Sequence, residues 1–190
     1  MDLRQLRYFV TLVNERNFTR AADPLYLGIF LRSARIALTA TAIAILIAYP
    51  AAYAITRAPK HWQTALLILV ILPFWSNYLI RTYAWIVMLN REGLINGALE
   101  GAGVIEEPLP LLYNSFAVVV GLVYNYTPFV VLAIYSSLSR INRETIEASE
   151  DLGASTFTTF RRVILPQTVS GVAAGGVFVF VLSIGNFITP

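Results

Sequence analysis

Three stretches of this 190-residue chain contain no charged residue: 36–56, 109–138 and 166–190. A bilayer's hydrocarbon core is about 30 Å thick, so a helix rising about 1.5 Å per residue needs roughly 20 apolar residues to cross it. Each stretch is that long, and far longer than a membrane β-strand. Lipid offers no partner for a bare N–H or C=O, so such runs must satisfy their backbones internally, as helices do. A further run, 62–89, the second of four in chain order, is apolar but broken by Pro73, Ser76, Asn77 and Arg81. The chain is therefore expected to fold as an all-α, polytopic membrane helical bundle of about four spans. Its 57% hydrophobic and 13% charged residues lie outside the soluble range and agree.

Composition removes several functions. No cysteine is present, so disulfides and thiolate-bound metals are excluded. The single histidine, His61, sits beside Lys60 in a short basic loop and cannot alone build a zinc site or supply a triad with a histidine to spare. The net charge of +3 comes from arginines scattered through loops and the N-terminus, not from a stripe with interleaved aromatics, which argues against nucleic acid as a partner.

Between the third and fourth runs lies a polar island of about twenty residues, which must stand outside the bilayer. Asn142 is a candidate N-cap for a helix over 143–152, with Glu144 in the first turn, where the helix dipole favours negative charge. Gly153 is placed to end that helix in the left-handed conformation, and Ser155 to cap a second, shorter one. In the latter, Phe157, Phe160 and Ile164 are expected on one face, and Pro166 is expected to break the backbone before the next span. The product is a bent element with Glu144, Glu147, Glu150 and Asp151 on one limb and Arg161 and Arg162 on the other.

The order Glu147-Ala148-Ser149, three residues, Gly153-Ala154, then Val163, one residue and Leu165-Pro166 resembles the EAA loop of permease subunits of bacterial ABC importers. Ser149 stands where that pattern has alanine, and Val163 where it has isoleucine. The stretch 72–85, with Trp75, Asn77, Tyr78 and Arg81, and the sequence Gly93-Leu94-Ile95-Asn96-Gly97 are similar to spermidine/putrescine-type members. The resemblance covers about residues 23–190 and implies a type I ABC importer permease fold. It also implies ATPase coupling through Glu147, Ala148, Ser149, Gly153, Ala154, Leu165 and Pro166, with Gly153 intolerant of any side chain. ABC ATPase subunits, a second permease subunit, a periplasmic binding protein and the lipid bilayer are the implied partners, and the bacterial inner membrane the implied location. It implies no catalytic residue, metal or cofactor, because ATP is bound by a separate subunit; the chain itself has no Gly-rich nucleotide loop with lysine.

The remaining features are read along the chain. Residues 1–22 resemble the opening helix of LysR-type transcriptional regulators, without the recognition helix that DNA binding needs, and are taken as a fused segment. The first span is expected over 25–56, with Pro50 as a kink and Tyr49 and Tyr53 as interfacial anchors. Arg81 either faces a cavity or partner, or snorkels to the outer interface. Gly97 and Gly101 are expected to mark turns, and Gly171 and Gly175 a close helix contact. Tyr124, Asn125 and Tyr126, at one level beside Pro128, suggest a pore face, with packing between helices as the alternative. With Trp75, Asn77, Tyr78 and Arg81 they are the candidate pore-lining residues.

Arg57 and Lys60, and Arg140, Arg143, Arg161 and Arg162, mark two cytoplasmic loops. That orientation leaves the arginines before residue 36 on the wrong side, predicting a core lacking the first and last of six spans. The implied solute is a polyamine, with sulfate or iron(III) as alternatives. A secondary transporter and a DNA-binding regulator are the readings from other classes.

Overall fold

The computed structural model describes residues 24–188, with side chains from 28 to 185. The LysR-like segment and its junction at 22/23 lie outside the described residues. Eight α-helices follow in order: α1 (Pro24–Arg57), α2 (Lys60–Ile71), α3 (Tyr78–Leu89), α4 (Leu94–Gly101), α5 (Ser115–Leu138), α6 (Arg143–Asp151), α7 (Thr156–Thr159) and α8 (Leu165–Ile188). A 3-10 turn, Leu72–Trp75, follows α2, and a π-turn, Phe160–Ile164, joins α7 to α8. No strand occurs among the described residues.

Contacts divide the molecule into two units between Arg35 and Ile36, inside α1. In the first, Ser33 Oγ donates to the Ile29 carbonyl at 3.0 Å, satisfying its hydroxyl along its own helix, and Ile29, Phe30 and Leu31 are exposed. The second unit holds everything from Ile36 onward. Its core begins with a stripe of small residues on α1: Ala40, Ala44, Ala48 and Ala52, spaced four apart, are fully buried. Spacing by four keeps them on one face, and their missing side chains let other helices approach closely. Ala44, Ala48 and Ala52 cluster with Val130, Val131 and Ile134 of α5 and Val179 of α8, while Ala40 packs with Ile36 and Leu122.

Helices α5 and α8 pack closely. A Cβ on Gly171 would collide with the Ser137 hydroxyl and come 2.7 Å from the Ala133 carbonyl oxygen; one on Gly175 would lie 3.2 Å from Val130 Cα. The expected close contact at Gly171 and Gly175 is therefore present, and its partner is α5. Gly97 and Gly101, expected in turns, instead lie within α4, where an added Cβ would meet nothing within 4 Å.

Among the described residues, three helical stretches are long and apolar enough to span a membrane: Gly28–Arg57, Ser115–Leu138 and Thr156–Gly185. The second run is not a straight span. Lys60–Trp75 and Tyr78–Gly101 meet at 86°, so the count reaches four only if this bent pair is one span. The cause is local. Ser76 is extended, with its hydroxyl on the Pro73 carbonyl at 2.7 Å, and Asn77 Oδ1 accepts from the Leu79 N–H at 2.8 Å, starting a new helix in a new direction.

The third run shortens in a similar way. Its helix starts at Ser115, not 109, because Asn114 Oδ1 caps it on the Ala117 N–H at 2.9 Å. The residues before it are bracketed by Asn96, fully buried, whose amide exchanges two 3.0 Å hydrogen bonds with the backbone of Leu109.

Candidate functional site

The bent element between α5 and α8 forms as its residue types dictate. Asn142 Oδ1 accepts from the Glu144 N–H, starting α6. Gly153 ends it with φ +80°, its N–H on the Glu150 carbonyl at 2.8 Å and the Ala154 N–H on the Ser149 carbonyl at 3.1 Å. Those two crossed bonds satisfy carbonyls that every helix C-terminus would otherwise leave open. Ser155 Oγ then accepts from the Thr158 N–H and begins α7.

The element has a bare side and a bound side. Leu152 is 89% exposed, Phe157 is 71% exposed, and Glu147, Ala148 and Gly153 are exposed as well. No atom lies within 4 Å of a Cβ built on Gly153, so the chain itself would not clash with a side chain there. Glu147 pairs with Arg143 at 3.2 Å, one helical turn away, with both side chains largely in solvent. On the bound side Ser149 Oγ donates to the Ile146 carbonyl, so the Thr159 hydroxyl must donate to Ser149, at 2.9 Å. This pair joins α6 to α7 across the glycine turn, and Thr159 is 2% exposed.

Phe157 and Phe160 do not share a face. Phe157 points outward, while Phe160 is held edge-on by Tyr49 at 5.8 Å and Tyr53 at 5.7 Å. Thr168 Oγ1 donates to the Leu165 carbonyl, so the Tyr49 hydroxyl donates to Thr168, at 3.0 Å. The guanidinium of Arg57 covers the Tyr53 ring and donates to its hydroxyl. Tyr49 and Tyr53, expected as interfacial anchors, thus tie α1 to the bent element. Spacing alone could have placed them on one face, but not named Phe160 as their partner.

Pro166 does not break the chain. The π-turn before it widens the helix, with the Leu165 N–H on the Phe160 carbonyl five residues back. That widening relieves the contact a proline ring makes with the carbonyl four residues earlier, so α8 continues through Pro166.

The candidate pore-lining residues separate into three places. Tyr78 and Asn125 line a cavity of about 350 Å³ between α3 and α5. Tyr124 packs edge-on against Trp85, another lining residue, at 5.4 Å. Tyr126 packs against the core instead. Trp75 is 85% exposed at the bend and Asn77 serves as its cap. The Arg81 guanidinium lies 4.6 Å from the Phe74 ring centroid, and its Nε has no hydrogen-bond partner.

With that geometry in view, residues 25–190 match the family described as binding-protein-dependent transport system inner membrane component. The chain belongs to this family. It is 40% identical over 171 residues to the spermidine/putrescine transport system permease protein PotB of Escherichia coli (strain K12), covering 90% of this chain and 62% of that protein. The PotB protein of Haemophilus influenzae is 37% identical over 180 residues, covering 95% of this chain and 63% of its own length. This permease-family chain thus spans about three fifths of the curated relatives it matches. Its fold resembles a bacterial ABC transporter involved in alginate import, with TM-score 0.64, 18% identity, and 98% and 68% of the two chains covered. The family, together with several helices long and apolar enough to cross a membrane, places the protein in the inner membrane.

Proposed function

We propose that this chain is a translocation subunit of an ATP-driven importer for polyamines, with nucleotide handled by separate ATPase subunits. A second permease subunit and a binding protein on the outer face complete the assembly, and the chain carries no catalytic residue of its own. The observation that carries this reading is the bare side of the Gly153 element. It leaves Leu152 and Phe157 uncovered on a polar segment whose other side is held against α1 by Tyr49 and Tyr53. An element exposed at its tip and fixed at its base is suited to receiving a push. The polyamine assignment is supported by the identity to the spermidine/putrescine permeases.

In this reading Glu147, Ala148, Ser149, Gly153 and Ala154 form the docking limb, and Leu165 and Pro166 carry motion into α8. The Arg143–Glu147 pair is solvent-exposed, where such pairs contribute about 0–1 kcal/mol, so Glu147 can exchange Arg143 for a basic group on the ATPase at little cost. Gly153→Asp brings a left-handed backbone penalty of about 1–2 kcal/mol and, with nothing of this chain within 4 Å of the added Cβ, a side chain that projects toward the docked partner. Of the candidate pore-lining residues, Tyr78 and Asn125, with Tyr124 packed on the lining residue Trp85, are assigned to the wall of the solute path.

Reconstituting the transporter and measuring ATP-dependent spermidine uptake with ATPase co-purification tests the assignment. Gly153→Asp should abolish uptake and weaken co-purification, with Glu147→Ala affecting both to a smaller degree. Normal uptake with normal association in both variants would reject the coupling role.

A further inference from the structure

Three of the apolar runs weaken at one level of the molecule, and a phenylalanine stands beside each weak point. The run of α2 and α3 breaks at Ser76-Asn77, just after Phe74. In α5, Pro128 has no N–H to give the Tyr124 carbonyl, and the Thr127 hydroxyl donates to the Val123 carbonyl at 2.6 Å, a back-bond of the kind that often bends helices. Phe129 follows at once. In α8, Gly175 and Gly176 are adjacent, a pair with no side chain to brace the backbone, and Phe178 comes shortly after. The phenylalanines meet: Phe74 is edge-on to Phe129 at 4.8 Å, and Phe129 lies 5.2 Å from Phe178. The Arg81 guanidinium closes the row over Phe74.

Packing changes partners at the same level. Beyond Pro128, α5 meets the α8 glycines through Val130, Ala133 and Ser137, and gives Val131, Ile134 and Leu138 to the large core. Leu66, Leu67 and Val70 of α2 pack on that core, and the Tyr135 hydroxyl donates to Gln63 Oε1 at 3.0 Å. Before Pro128, α5 turns to α3 instead. It lines their shared cavity with Ala117, Gly121 and Leu122, sets Tyr124 against Trp85, and gives Leu122 to a separate small cluster with Ile36 and Ala40. So α2 belongs with the half that holds the Gly153 element, and α3 with the other. At the boundary, Tyr126 touches both clusters, and Val179, just past the glycines, still packs on the larger. Helix α1 crosses this level unbroken, presenting the buried Ala40 and Ala44, which are too small to interlock.

We propose that this level is the hinge line of the chain, with Ser76-Asn77, Pro128 and Gly175-Gly176 as the flexing points and the row Phe74–Phe129–Phe178 as the bearing between the two halves. The inference rests on the importer reading. A push on the Gly153 element moves α2, late α5 and early α8 as one body, while α3 and the α5 residues of its cavity stay behind. Rings in contact suit a bearing, because they can tilt past one another without breaking a hydrogen bond.

The chain has no cysteine, so pairs of introduced thiols can carry spin labels in the transporter assembled with cysteine-free partner subunits. Tyr83 on α3, Phe116 on early α5, Ser136 on late α5 and Val169 on early α8 are all exposed. Between the nucleotide-free and ATP-trapped states, the distance from Tyr83→Cys to Val169→Cys, across the level, should change by several ångströms. The distances from Tyr83→Cys to Phe116→Cys and from Ser136→Cys to Val169→Cys, each within one half, should stay fixed. Pro128→Ala returns a helix bond to the Tyr124 carbonyl, and should lower ATP-dependent spermidine uptake by about tenfold or more, with ATP hydrolysis retained and the thermal midpoint unchanged or raised. No change across the level, equal changes in all three distances, or normal uptake by Pro128→Ala would overturn the hinge. The distances leave the hinge residues untouched, so they decide the matter should Pro128→Ala fail to fold. The unsubstituted transporter is the separate control: its failure to take up polyamines would reject the functional reading itself.

Discussion

The Gly153 element and the bend at Ser76-Asn77 are both places where a helix stops and restarts, yet they are built oppositely. Around Gly153 the turn is closed by crossed backbone bonds, the limbs are joined by Ser149 and Thr159, and the base is gripped by two tyrosines. At the bend, Trp75, Leu79, Ile80 and Tyr83 are exposed, and Arg81 rests on one aromatic ring with its Nε unpartnered. The first region is finished within this chain and suited to transmit force. The second is finished by what surrounds it, whether lipid, solute or another subunit.

That contrast is sharpest at Phe160. Phe160→Ala removes the ring held between Tyr49 and Tyr53, a loss of about 3–5 kcal/mol for a packed phenylalanine, and should lower the thermal midpoint while cutting uptake per ATP hydrolysed. Phe157→Ala, three residues away but 71% exposed, should leave the midpoint nearly unchanged and weaken ATPase association instead. Equal effects of the two changes on stability would erase the distinction between a bound and a bare side.

Ser149→Ala is expected to come next in size. It leaves the buried Thr159 hydroxyl without its acceptor, costing about 1–2 kcal/mol, detectable as a lower midpoint with the helix content retained. At the bend, Arg81→Leu should change stability least, by about 1 kcal/mol or less, since it gives up one cation–ring contact and removes an unpartnered donor. A larger loss at Arg81 than at Ser149 would show that the bend, too, is braced from within.

Sequence reading succeeded where the chemistry is local. Asn142, Gly153 and Ser155 act on backbone groups two to four residues away, so residue type and spacing suffice to place both caps and the turn between them. The gripping of Phe160 was not legible, because its partners lie more than 100 residues earlier and only the packing of α1 against the rest selects them. Pro166 misled for a related reason. A proline signals lost hydrogen bonding, but whether a helix breaks or widens depends on the turn before it. At the second run, Pro73, Ser76 and Asn77 announced an interruption, while its 86° angle is a property of the assembled backbone. Of the cavity, Tyr78 and Asn125 were legible as polar groups in apolar runs; Trp85, Thr82 and Tyr113 joined them only through the placement of α3 against α5.

The account turns on the bare tip of the Gly153 element facing the cytoplasm and docking an ATPase there. Leu152→Cys, the only thiol in a chain that has none, measures this directly with a membrane-impermeant maleimide applied to sealed vesicles of known orientation. The account predicts labelling only from the cytoplasmic side, suppressed when the ATPase subunits are bound. Labelling from the outer side, or labelling indifferent to the ATPase, would contradict it.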